Sequence, residues 1–162
     1  MKHCIFQDSS FLIATLSQSE VFHTDAVYVF KKIIENKKDV RIIVPSLVFY
    51  ETIVTLYKKG MPRKQIEEKL WNFLYSDMVL NVAQLETAAF KTCKRLSQGN
   101  LSDLRTQDFI IHSIALEYEA QILTFDKKVR ETIGNFYKQI YYCSNIGNGS
   151  VDETPEFLKD LY

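Results

Sequence analysis

The chain has 162 residues, 46% of them hydrophobic, which is about the size of one domain and enough apolar material to fill one core. Its 20 Lys and Arg balance its 20 Asp and Glu, so the overall basic signature of many nucleic-acid binders is missing, although local basic groups can still face a polyanion. The opening MKHCIFQDSS lacks the apolar run and cleavage site of a signal peptide, and no stretch approaches the roughly 18 apolar residues of a membrane span, so a cytoplasmic protein without membrane contact is expected.

In chain order, an apolar strand over 3–7 runs into a helix over 9–17, and a second helix is predicted over 19–36. A strand over 40–44 follows, with Pro45 expected in the first turn of a helix over 46–59. Gly60 and Pro62 punctuate the junction to a helix over 63–76, and a strand over 78–82 precedes a helix over 84–98. SQGNLSD at 97–103 reads as a loop before a helix over 105–119. A strand over 121–125, a helix over 127–136 and a strand over 139–142 complete the body. Strands alternating with helices predict an α/β fold, a parallel sheet of about five strands with helices on both faces. CSNIGNGS at 143–150 reads as a linker, GNG included. Thr154 and Pro155 can start a short tail helix whose Phe157, Leu158 and Leu161 pack on the body or on a second protomer. Residues 1–142 are therefore expected as the domain and 143–162 as linker and tail. Cys4, Cys93 and Cys143 are odd in number and form no C-x-x-C pair, which predicts reduced thiols used for packing.

Four acids sit in apolar surroundings. Asp8 ends the first strand and Asp126 follows the fourth, at the carboxyl ends where ligands of open α/β sheets collect. Glu51 shares a helix face with Leu47, Val48, Val54 and Thr55, and Asp108 shares one with Ile111, His112 and Ala115, so both point inward. An Asp after a strand also serves as a helix N-cap, and an inward Glu can pair with Lys or Arg. Four carboxylates together repel unless a cation is present, which favours a functional cluster around a divalent metal. Setting the four aside leaves 20 basic against 16 other acidic side chains, an excess of +4.

The pieces IFQDSSFLIATL with Asp8, VPSLVFYETIVTL with Glu51, LRTQDFIIHSIAL with Asp108 and ILTFDKKV with Asp126 come in an order and spacing that resembles the PIN domain nucleases over roughly residues 3–142. That resemblance implies a single PIN-like domain and a ribonuclease. Many members are the toxins of VapC-type toxin–antitoxin pairs, so it also leaves open an antitoxin partner and a homodimer. It further implies products with 5′-phosphate and 3′-hydroxyl ends.

The residue types suit that chemistry by themselves. Mg2+ or Mn2+ prefers carboxylate oxygens, which casts Asp8, Asp108 and Asp126 as metal ligands, while RNA as the molecule hydrolysed is what the resemblance implies. Glu51 would hold a water of the ion's shell or accept its proton. Ser9, Ser10 and Thr124 flank the strand-end acids and are candidates for metal or phosphate contact, although such hydroxyls usually cap backbone N–H groups. His112, one turn beyond Asp108, is a candidate for gripping phosphate or a hydrogen-bonded packing residue. Asp103 reads as a loop acid or cap. Arg105, Lys127, Lys128 and Arg130 can meet an RNA backbone or lie in solvent. Aromatic residues, 13% of the chain, can stack bases but at helical spacing usually belong to the core. No G-x-S-x-G elbow, Walker loop or zinc spacing occurs. A receiver domain needs paired acids after the first strand and an acid ending the third, whereas Asp8 stands alone and MVLNV ends without one. The competing expectation is a catalytically weak or silent PIN-like module that binds nucleic acid or protein.

Overall fold

The computed structural model describes residues 3–36, 38–74, 79–82 and 106–144. The expected helix over 84–98, the loop over 97–103 with Asp103, and Cys93, Arg105 and the tail residues Phe157, Leu158 and Leu161 lie outside the described residues.

Five strands form one sheet: β1 (His3–Gln7), β2 (Val40–Pro45), β3 (Val79–Val82), β4 (Gln121–Thr124) and β5 (Ile140–Tyr142). Each agrees with the sequence-based expectation to within one residue at either end. The order is β3-β2-β1-β4-β5, and every adjacent pair is parallel. All four residues of β4 are buried, as are five of the six in β2. Because successive side chains point to opposite faces, such runs need both faces of the sheet covered.

The described helices are α1 (Ser9–Leu16), α2 (His23–Glu35), α3 (Ser46–Lys58), α4 (Arg63–Leu74), α5 (Thr106–Glu117) and α6 (Lys127–Gly134). In α1, Phe11, Leu12, Ile13, Ala14 and Leu16 are all buried, the pattern of a helix sunk in a core rather than lying on it. Together with Ile5, Phe6, Ile42, Ile43, Ile122 and Leu123 it forms the centre of the packing. Cys143 is buried and Cys4 half-buried against this core, neither joined in a disulfide among the described residues.

Several helix boundaries differ from expectation: α5 ends at Glu117 rather than 119 and α6 at Gly134 rather than 136, and two further differences have a visible cause. Helix α2 starts at His23 instead of residue 19, because Phe22 is drawn into a stack with Phe125 at 4.8 Å between ring centroids and the chain before it turns through Glu20 N–H to Ser17 O and His23 N–H to Glu20 O. Pro45 belongs to the end of β2, not to the first turn of α3. Its φ of −63° and ψ of 148° are extended, and lacking an N–H it loses nothing at the point where the strand ends.

Candidate active site

The strand order sets the position of the site. From β1 the chain moves outward to β2 and β3, then returns to place β4 on the other side of β1. The connections leaving β1 and β4 therefore diverge at the carboxyl ends of these neighbours, which opens a crevice between them. Asp8 follows the last residue of β1, and Asp126 lies two residues beyond the end of β4.

Asp8 is 4% exposed and caps α1, with its Oδ1 accepting from Ser9 N–H at 2.8 Å. Its Oδ2 accepts from Ser10 Oγ at 3.0 Å and from Thr124 Oγ1 at 2.9 Å. The same two hydroxyls hold the other strand end: Ser10 Oγ accepts from Phe125 N–H at 3.0 Å, and Thr124 Oγ1 from Asp126 N–H at 2.9 Å. Asp126 in turn caps α6, its Oδ1 accepting from Val129 N–H at 3.1 Å. Both aspartates are thus N-caps, and both still present carboxylate to the crevice. Ser10 and Thr124 clamp the two acids to one another's strand ends.

Glu51 projects from the middle of α3, half-buried, with its Oε2 cut off from solvent. Asp108, in the first turn of α5, is buried near the positive end of the helix dipole. His112 is fully buried one turn further on; its Nδ1 lies 2.5 Å from Asp108 O, its ring tilts against Phe6, and its Nε2 faces Asp8 Oδ1 at 3.9 Å. A protonated Nδ1 is required by the carbonyl, so in the neutral ring Nε2 is an acceptor. Among the described residues that nitrogen has no hydrogen-bond partner.

Asp8, Glu51, Asp108 and Asp126 all line one cleft of roughly 510 Å3, with Ser9 and Ser10 at its floor helix. Thr124 and His112 stand behind the aspartates rather than in the lining. Lys127, Lys128 and Arg130 do not line it either, and Lys127 faces Glu131 at 3.9 Å. Three polar lining residues were not singled out from the sequence: Tyr50, Lys58 and Gln107. The first two were legible only by counting helical steps from Glu51, one back and seven on. A separate apolar groove of roughly 440 Å3 lies on another face of α3, where Phe49, Ile53 and Tyr57 meet Ile66, Leu70 and Trp71, and it holds none of the four acids.

Four acids and one base, Lys58, are the charged side chains among the described residues of the cleft. No three acidic, histidine or cysteine side chains among the described residues close tightly on a single point. Mg2+ and Mn2+ keep several waters when bound, so carboxylates that stand apart would reach such an ion in part through water. The oxygen-only acidic donor set points to the same hard cations.

The chain matches the family model described as PIN domain over residues 5–134. Two solved structures share its fold at 15% sequence identity. The Mycobacterium tuberculosis VapC20, described as a sarcin–ricin loop cleaving toxin, is similar with a TM-score of 0.60 over 82% of this chain and 95% of its own. VapBC2 from Rickettsia felis, bound to a DNA fragment from their promoter, is similar with a TM-score of 0.62 over 80% of this chain and 92% of its own. No curated protein sequence matches. With a family match across most of its length, the chain belongs to the PIN domain family.

Proposed function

We propose that the protein is a metal-dependent endoribonuclease that hydrolyses RNA phosphodiester bonds, acting as the toxin of a type II toxin–antitoxin pair. The observation that carries this is the meeting of Asp8, Glu51, Asp108 and Asp126 in one cleft at the switch point of the sheet. The likeness in fold to VapC20, a toxin that cleaves the sarcin–ricin loop, supports RNA as the substrate. The likeness to VapBC2 supports a partner protein. Self-association is part of the same proposal.

In this reading Asp8, Asp108 and Asp126 hold Mg2+ or Mn2+. When bound, the ion acidifies a water and offsets charge on the phosphoryl oxygens. Asp8 enters that role already oriented by its three hydrogen bonds. Glu51 orients the attacking water and takes its proton. The water oxygen bonds to phosphorus, the bond from phosphorus to O3′ breaks, and a proton goes to O3′, which leaves 5′-phosphate and 3′-hydroxyl ends.

The purified protein is expected to cut end-labelled RNA internally with Mg2+ or Mn2+ and to stop when EDTA is added. Asp8→Asn and Asp108→Asn each lower the rate on the order of 100-fold or more. RNA left intact with either ion, or Asn variants that cut as well as the wild type, would sink the nuclease reading and leave a binding module. Growth arrest on induction, relieved by co-expressing a small adjacent open reading frame, tests the toxin role separately.

A further inference from the structure

The face of α3 that carries Glu51 into the cleft carries more than an acid. Leu47, Tyr50, Val54, Thr55 and Lys58 line the cleft beside it, at the three- and four-residue spacing of one helix stripe. Tyr50 is 66% exposed, although its ring is flanked by the carboxylates' own cleft. It adds nothing to the core there, whereas Phe49, its neighbour in sequence, is buried. An exposed tyrosine offers a flat apolar face with a polar tip.

Lys59 is paired with Glu20 and Arg63 with Glu67, while Lys58 and Lys64 enter no ion pair among the described residues. Of these four, Lys58 is the one that lines the cleft. It stands seven residues beyond Glu51, roughly 10 Å along the helix axis. That spacing along the helix lets it serve a phosphate next to the one being cut.

We propose that Tyr50 and Lys58 make α3 a guide for an unpaired RNA strand, with Tyr50 stacking on a base next to the cut and Lys58 taking a flanking phosphate. This rests on the nuclease reading and adds to it two side chains beyond the acids that seat the strand. Bases within an A-form duplex are stacked on one another and hide the face that Tyr50 needs, whereas unstacked bases expose it.

The test uses the full-length Asp8→Asn protein, which holds RNA without cutting it, a labelled single-stranded oligonucleotide, and a hairpin duplex of related sequence. Tyr50→Ala is expected to weaken single-strand binding about tenfold or more while leaving duplex binding and the melting temperature unchanged, and Tyr50→Phe keeps full binding. Lys58→Ala flattens the dependence of log K on log salt by about 0.7, the value of one single-strand phosphate.

Three results would overturn the guide. One is unchanged single-strand binding in Tyr50→Ala. Another is an unaltered salt slope in Lys58→Ala together with an altered Mg2+ affinity when the same change is made with Asp8 intact, which makes Lys58 an internal counter-ion of the acids. The third is a change of oligomeric mass in Tyr50→Ala, which assigns the ring to a protein interface. In the otherwise wild-type enzyme, cleavage with unchanged KM in both variants removes the guide alone. Binding that responds as expected in a protein that never cuts removes the nuclease reading alone.

Discussion

Asp8 is fixed by three hydrogen bonds before any ligand arrives, and one of them crosses from β4 through Thr124. Thr124 is fully buried, so its hydroxyl has no water to fall back on. Thr124→Val keeps the shape, removes the donor to a carboxylate and strands Asp126 N–H. Chemical denaturation is expected to show a loss of about 2 kcal/mol, and titration with Mn2+ a fall in affinity of roughly 10- to 100-fold; a variant equal to wild type in both denies the clamp. Such residues differ in how readable they are. The four acids stand out in sequence because a carboxylate amid apolar neighbours needs a reason. Thr124 and Ser10 were legible only as flanking hydroxyls, since their bonds span more than a hundred positions. Tyr50 and Lys58 resemble any helical aromatic and any surface lysine until the face they occupy is known.

Helix ends show how local chemistry and packing divide the work. After α3, Gly60 at φ 84° closes the helix with Met61 N–H to Leu56 O and Gly60 N–H to Tyr57 O. After α5 the same pattern recurs, Ala120 N–H to Ala115 O and Glu119 N–H to Leu116 O, but the left-handed residue is Glu119 at φ 49°. A side chain there carries a steric cost that glycine avoids. Glu119→Gly is expected to raise stability by about 1 kcal/mol, read from denaturant midpoints; a lower midpoint would contradict it. Tyr137, between α6 and β5, donates to Ala120 O at 2.9 Å and so ties the two connections together. Burial first, then the charge of Glu119, then Tyr141 and Cys4, push its phenol from 10.0 up to about 12. Because the folded value is the higher one, this stabilisation is whole below pH 10 and is lost as pH climbs towards 12. Tyr137→Phe should flatten the alkaline fall in stability over that window, measured by denaturation at stepped pH; an equally steep fall would clear Tyr137 of the effect. The glycine stop was legible from Gly60 and Pro62, whereas Glu119 carries no turn signal. The late start of α2 was illegible for another reason, because Phe22 answers to Phe125 across the fold.

At the scale of the molecule, periodicity located five strands but held no record of their order. That order makes β1 central, with Val40 of β2 opposite His3 on one side and Gln121 of β4 opposite Ile5 on the other. The cleft exists because β4 returns across β1, so its acids come from both ends of the described chain. The strand-end places of Asp8 and Asp126 and the inward faces of Glu51 and Asp108 already pointed to this gathering, and the resemblance to the family pointed to it again. The strand order has a further consequence in time. Asp8 emerges from the ribosome 116 positions ahead of the Thr124 that orients it, on the order of ten seconds at ordinary rates of synthesis. Until β4 pairs with β1, the nascent chain holds Asp8 and Glu51 on a half-built sheet without Asp126 beside them. For the proposed nuclease the topology is a delay: the acids of the cleft meet only after β4 has been made and has paired with β1.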